Sequence, residues 1–289
     1  MAQAHEVDAA TGTPTTGHEW DGIKELNTPL PRWWLIIFYA TIVWAVVYWV
    51  FMPAWPILGG YTHGLLNHSQ RDDVVAAIAQ LKSQRRTREA ELVHATLKQI
   101  QNNPELFQFA MAEGRSAFAD NCAPCHGSGG QGSRGYPNLN DDIWIWGGTL
   151  DDIQHTITVG VRSTDPQTRN SAMPAFGRDK MLKPEQIDDL TEYVVSISGR
   201  PANAAAVRRA KSLFADNCAQ CHGAAGKGDR SMGAPNLTAN VWLYGGTRED
   251  ISDQIWNGHG GVMPTWKGKL SPETIKSLAV YVHSLGGGE

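Results

Sequence analysis

AFADNCAPCHGSGGQGSRGYPNLNDDIWIWGGTLDDI, residues 117–153, is followed by LFADNCAQCHGAAGKGDRSMGAPNLTANVWLYGGTREDI, residues 213–251. The two stretches are copies of one pattern. Phe118, Asp120, Asn121, Cys122, Cys125, His126 and Gly132 recur 96 residues later. Pro137, Asn138, Leu139, Trp144, Gly147, Gly148 and Thr149 recur 98 residues later, and Met173-Pro174 recurs as Met263-Pro264 after 90. An internal repeat of this size means two small units of similar architecture. Each unit is near the lower limit for an independent core, so a tightly bound group would help to stabilise it.

All four cysteines of the 289-residue chain fall in these copies, as Cys122-Ala-Pro-Cys125-His126 and Cys218-Ala-Gln-Cys221-His222. Two thiols three positions apart, with an imidazole directly after, form the attachment pattern of a c-type haem. The thiols reach two vinyl groups on one side of a porphyrin as thioethers, and the next residue sets a nitrogen under the iron. A lone Cys-x-x-Cys also serves as a redox pair or half of a zinc site; the trailing His, twice in repeated surroundings, argues for haem.

Four of the six iron positions belong to the porphyrin and one to His126 or His222. A Met thioether in the sixth raises the potential. Of seven Met residues, only Met173 and Met263 stand at equivalent repeat positions, each before a Pro that stiffens the loop. They are the candidate sulfur ligands. Spacing leaves open which Met serves which haem, because a sulfur could cross to the neighbouring unit. Met181 and Met232 are read as packing residues. His155 and His259 differ between copies and are read as surface or pocket residues, and His63 and His68 as interfacial. Trp144 and Trp242 suit either haem-edge or core packing.

Helical signals frame each copy. PELFQFAMAEGRSAFADN leads into the first Cys pair, KPEQIDDLTEYVVSIS ends that copy and SPETIKSLAVYVHSLG ends the other. Pro184 and Pro272 suit a first helical turn, and Ser271 a cap. Gly, Pro and Asn clusters between them read as loops. The fold class expected is all-α. Residues 71–103 read as a linker helix with a solvated face, carrying Ile78, Leu81, Leu92, Leu97 and Ile100.

From Trp33 to Gln70 the chain holds no Asp, Glu, Lys or Arg over 38 residues. WWLIIFYATIVWAVVYWVFM, residues 33–52, matches the length of a bilayer core, with aromatic residues at both ends. Pro53 and Pro56 stop the helix. A 32-residue polar tail and the length of the run argue for an uncleaved anchor over a signal peptide. Basic residues flank the span on both sides, so charge orients it weakly. Attachment of haem to Cys-x-x-Cys-His takes place outside the energy-coupling membrane, which puts the haem units in the bacterial periplasm and the tail in the cytoplasm.

Net charge is −4, with Lys+Arg 25 and Asp+Glu 29, which does not favour nucleic acid as a partner. Residues 105–200 carry 13 acidic against 8 basic side chains, a block charge of −5. Such a face suits a basic donor protein. The expected organisation is a tail (1–32), a transmembrane anchor (33–56), an interfacial and linker helical segment (57–104), and two cytochrome c domains (105–200 and 201–289).

The tail HEWDGIKELNTPLPRWW, one span, YTHGLLNHSQR and two Cys-x-x-Cys-His units together resemble the dihaem subunit (CcoP/FixP type, subunit III) of cbb3-type cytochrome c oxidases. The resemblance covers nearly the whole chain. It implies one N-terminal transmembrane helix before two tandem class I cytochrome c domains, and two covalent haem c groups with His/Met ligation. It further implies electron transfer from a periplasmic donor cytochrome toward the monohaem subunit and then the catalytic O2-reducing, proton-pumping subunit. Carried over by position, attachment falls to Cys122, Cys125, Cys218 and Cys221, and iron ligation to His126, His222, Met173 and Met263. No catalytic residue of the chain's own is implied. Two other classes compete: a free-standing membrane-anchored dihaem carrier, and a dihaem peroxidase, which needs an open sixth position that a Met candidate in each copy argues against.

Overall fold

The computed structural model describes residues 6–289 and is mostly helical. The chain divides into two compact units, Met1–Ser83 and Gln84–Glu289.

The first unit opens with a hairpin within the segment expected to be a polar tail. Strands β1 (Thr15–Trp20) and β2 (Ile23–Leu26) pair antiparallel, with Thr15 opposite Leu26 and Trp20 opposite Ile23. Asp21 and Gly22 form the turn, both at positive φ (51° and 85°). An Asp-Gly pair is a strong two-residue hairpin signal, since both central positions need that backbone region. Helix α1 (Arg32–Phe51) follows, 20 residues long, with a mean hydropathy of 2.1 over an 18-residue window and no residue buried within the chain. Its length is about 30 Å, the thickness of a bilayer core. A short hairpin, β3 (Pro56–Ile57) with β4 (Gly60–Tyr61), then turns the chain back. The amides of Leu65 and Leu66 donate to Val50 and Phe51 carbonyls at 2.9 and 3.1 Å, satisfying acceptors that the helix end leaves free.

Helix α2 (Gln70–His94) runs into the second unit and stops before Thr96, whose hydroxyl and Gln99 make a reciprocal cap for α3 (Leu97–Asn102). The expected single linker helix is therefore two, and only its first part is solvated. Leu92, Leu97 and Ile100 are buried, whereas Ile78 and Leu81 are exposed. Further along come α4 (Pro104–Asn121), α5 (Ala123–His126), α6 (Leu150–Val159), α7 (Pro184–Ile197), α8 (Ala204–Asn217), α9 (Ala219–His222), α10 (Arg248–Asn257) and α11 (Pro272–His283). Pro184 and Pro272 occupy first turns, and the Ser271 hydroxyl accepts from the Thr274 amide.

Packing does not follow the division at residues 200 and 201. Helix α11, from the second copy, lies on α4 and α6 of the first; α7, from the first copy, lies on α8 and α10 of the second. One core joins Leu106, Ala110, Phe118, Ile153 and Ile157 to Ile275, Leu278 and Val282. The other joins Ile187, Leu190 and Val194 to Phe214, Ile251 and Ile255. The second bundle is thus one uninterrupted stretch set between the two halves of the first.

Residue chemistry at the helix crossings selects this arrangement. Glu113 on α4 accepts hydrogen bonds from Thr274 and Ser277 hydroxyls on α11, at 3.0 and 2.7 Å. Its repeat counterpart, Arg209 on α8, donates to both oxygens of Asp189 on α7, at 2.8 and 2.5 Å. Asp189 and Ser277 are themselves repeat counterparts. Packing each copy on itself would set Glu113 against Asp189, two like charges, and leave Arg209 without its carboxylate. A Cβ on Gly114 would lie 2.7 Å from Tyr281 Cβ and 2.8 Å from the Ser277 carbonyl carbon, so the glycine lets α4 approach α11 closely at this point.

Candidate haem sites

In the first bundle α4 delivers the chain to Cys122, which closes α4 and opens the single turn α5. The Cys125 and His126 amides donate to the Cys122 carbonyl, at 3.1 and 2.9 Å. Both cysteines and the histidine thus stand on one short turn of backbone. His126 Nδ1 stands 3.0 Å from the Pro137 carbonyl. A carbonyl only accepts, so Nδ1 carries the proton and Nε2 keeps its lone pair for a metal. Burial pushes the His126 pKa down, opposed by the Pro137 contact, and so favours that neutral form. The second bundle repeats the geometry: His222 Nδ1 is 3.0 Å from the Pro235 carbonyl, and burial lowers its pKa likewise.

The thiols are free. Burial, reinforced by the neighbouring Cys, pushes Cys122 and Cys218 up to about 11. That is the reverse of the electropositive setting that makes a reactive thiolate. Among the described residues no three or more His, Cys, Asp or Glu side chains gather as a metal cluster. The donors are instead one His and one Met per bundle beside apolar walls, a set that fits a covalently held haem.

The Met residues cross. Met263, from the second copy, packs in the core that holds Cys122 and Trp144. Met173, from the first copy, packs with Cys218 and Trp242. Met263 and Val161 exchange backbone hydrogen bonds at 3.0 Å in both directions. Gly160, at φ 74°, lies so close to the Met263–Thr265 backbone that a Cβ there would be 2.8 Å from Pro264 C and Thr265 N. Gly258 does the same for the other loop, with a Cβ 2.8 Å from Pro174 C and 2.9 Å from Ala175 N. Packing therefore sets each Met in the core that holds the first attachment Cys of the other copy.

Other residues fall less evenly. Met181 is 56% exposed and is not the packing residue expected. His155 is exposed, and His259 is an exposed partner of Asp253 at 2.6 Å. His63 stacks on Tyr61 with ring centroids 4.8 Å apart. Both Trp144 and Trp242 pack against the cores. Sequence reasoning missed Gly160 and Gly258, although their recurrence 98 residues apart was a usable signal. It also missed Gln254, whose amide lies 3.7 Å from Met173 Sδ; the counterpart position holds Thr156, and no repeat signal marked it.

A profile of the N-terminal domain of cytochrome oxidase-cbb3, FixP, matches residues 12–59. Cytochrome c matches residues 111–198, and cytochrome c oxidase, cbb3-type, subunit III matches residues 205–282. The cbb3-type cytochrome c oxidase subunit FixP of Azorhizobium caulinodans is 53% identical over the full length of both chains. The chain belongs to the FixP/CcoP family of cbb3-type cytochrome c oxidase subunits. The FixP subunit of Bradyrhizobium sp. (strain ORS 278) is 52% identical and the CcoP subunit of Azospirillum brasilense 49%, each again over the full length of both chains. As a FixP/CcoP protein it is an electron-transfer subunit of the oxidase complex, with two cytochrome c domains that carry two covalent haem c groups. Its N-terminal apolar helix fits a membrane anchor.

Proposed function

We propose that this subunit takes electrons from a donor cytochrome c on the periplasmic side and hands them toward the monohaem and catalytic subunits of the oxidase. In this reading α1 crosses the lipid bilayer of the bacterial inner membrane, with the N-terminal tail in the cytoplasm. Cys122 and Cys125 hold one haem and Cys218 and Cys221 the other. His126 with Met263, and His222 with Met173, would supply the nitrogen and sulfur that hold the two irons. When bound, each haem supplies a one-electron iron couple.

The protein's own part is to keep that couple rigid and closed. Pro137 and Pro235 fix the imidazole tautomers. Gly160 and Gly258 hold the Met loops against the opposite copy, and the apolar cores exclude water. A nitrogen and a sulfur donor at each iron would favour outer-sphere transfer over substrate chemistry. The acidic surplus of residues 105–200, although shared between the two bundles, supports docking of a basic donor, with an encounter rate that falls as salt rises.

The observation that carries this proposal is that each apolar core packs the Met of one copy with the first Cys of the other copy's attachment turn, whose His is fixed by a Pro carbonyl. Gentle detergent purification tests it. The subunit should co-purify with b-type haem and copper and add two porphyrin masses. Recovery as a lone dihaem chain would overturn the oxidase placement, and a donor reduction rate independent of ionic strength would overturn the docking face.

A further inference from the structure

Just past α7, the chain places an arginine where its charge has no visible counterion. Arg200 lies with its guanidinium 5.5 Å from the Trp242 ring centroid. Its Nε donates to the Ser198 hydroxyl at 2.8 Å, and Nη1 donates to the Gly246 carbonyl. Nη2 is buried and has no hydrogen-bond partner. No carboxylate pairs with Arg200 among the described residues. Arg169 makes a useful contrast: it also lies over a Trp, at 5.4 Å, but Asp152 pairs with it at 3.3 Å. A part-buried guanidinium with an unpaired donor is costly unless an anion satisfies it.

The surroundings have room for one. A cavity of about 470 Å³ is lined by Ser198, Arg200, Asn240, Trp242, Gly246 and Thr247, among others. Trp242 belongs to the core that also contains Cys218 and Met173, so the cavity adjoins the second haem site. The first bundle has no equivalent cation. There the Trp144 indole donates to the Gly287 carbonyl, and the Glu289 amide donates to the Gly148 carbonyl at 3.1 Å. Backbone fills the place that Arg200 takes in the second bundle.

We propose that Arg200, braced on Trp242, binds a propionate carboxylate of the haem attached at Cys218 and Cys221. The proposal rests on the attachment reading given above. A guanidinium suits a carboxylate because its planar N–H donors match the two oxygens. It also offsets negative charge beside the iron, which disfavours the oxidised state, so Arg200 raises the potential of this haem alone. The two haems then differ in potential through an arginine that only one bundle has.

The test uses the intact oxidase carrying Arg200→Gln or Arg200→Lys in this subunit, with porphyrin mass and both c-type midpoint potentials measured. Arg200→Gln should retain two porphyrin masses and lower one of the two potentials by about the equivalent of a tenfold change in the reduction equilibrium, ~59 mV for one electron. That potential should also become pH-dependent near neutrality, as the unpaired propionate titrates. Arg200→Lys, which keeps the charge, should restore most of the shift. Two unchanged potentials with both porphyrins present would overturn the proposal, as would equal shifts in both. Loss of a porphyrin mass already in the unsubstituted protein would instead overturn the attachment reading. If Arg200→Gln does not assemble, Arg200→Met takes its place as the charge-removing variant: a lowered, pH-dependent single potential supports the proposal, and an unchanged pair refutes it.

Discussion

Gly160→Ala is the substitution that most sharply separates crossed from local ligation. Gly160 is 13 residues from Met173 in sequence, yet its backbone lies against Met263. Its φ of 74° and ψ of −174° fall in a region that is essentially glycine-only, where another residue costs about 1–3 kcal/mol. The new Cβ would stand 2.8 Å from Pro264 C and Thr265 N, and nearer still to the Met263 carbonyl, all of them backbone atoms. Overpacking against groups that cannot rotate away adds about 1–3 kcal/mol. A total of about 2–6 kcal/mol acts on the loop carrying the Met263 sulfur. Since each 1.4 kcal/mol is about tenfold, that is enough to detach the sulfur in much of the population. The assay is the thioether-to-iron absorption band of the oxidised protein, with cyanide binding as a count of vacated irons. The band should fall by about half, and cyanide should bind one iron, the one at Cys122–His126. Gly199→Ala is the control: its φ is 78°, but a Cβ there meets nothing within 4 Å, so the band should persist. Full retention of the band in Gly160→Ala, or cyanide at the Cys218–His222 iron, would refute the reasoning.

Other substitutions reach the packing and charge terms. Leu278→Ala removes a fully buried side chain from the first core and should cost about 2–5 kcal/mol in thermal or denaturant unfolding; a loss under ~1 kcal/mol would contradict the assigned core. The double exchange Glu113→Arg with Arg209→Glu sets a new carboxylate against Asp189 and should lower the melting temperature more than either change paired with a neutral residue. The Arg248 guanidinium and the Asn203 amide hold the Glu192 carboxyl below its ordinary value. A depressed folded pKa contributes stability above the ordinary carboxylate range, and that contribution is lost as pH falls through the folded value. The acid limb of a melting-temperature profile should therefore flatten in Glu192→Gln; an unchanged limb would count against this pair.

Much of this architecture was legible in the sequence because its signals are local. Cys-x-x-Cys-His needs only one turn to declare itself, the Met-Pro pair recurs in register, and the apolar run from Trp33 to Met52 has the length of a membrane span. The crossing of α7 and α11 was not legible from periodicity, since KPEQIDDLTEYVVSIS and SPETIKSLAVYVHSLG present the same apolar face to either partner. What distinguishes them is a pair of contacts between the copies: Glu113 with Ser277 and Arg209 with Asp189. The Asp21-Gly22 hairpin was overlooked although its dipeptide is a turn signal, because the flanking strands carry little apolar alternation. Arg200 lay hidden because its significance is an unpaired nitrogen beside a cavity, which only coordinates reveal.

Crossed ligation is most directly tested by a density map of the intact oxidase that resolves both c-type irons and their axial atoms. The iron above His126 should carry the Met263 sulfur, and the iron above His222 the Met173 sulfur. Met173 at the His126 iron, or any iron bound by His and Met from the same sequence copy, would contradict the account.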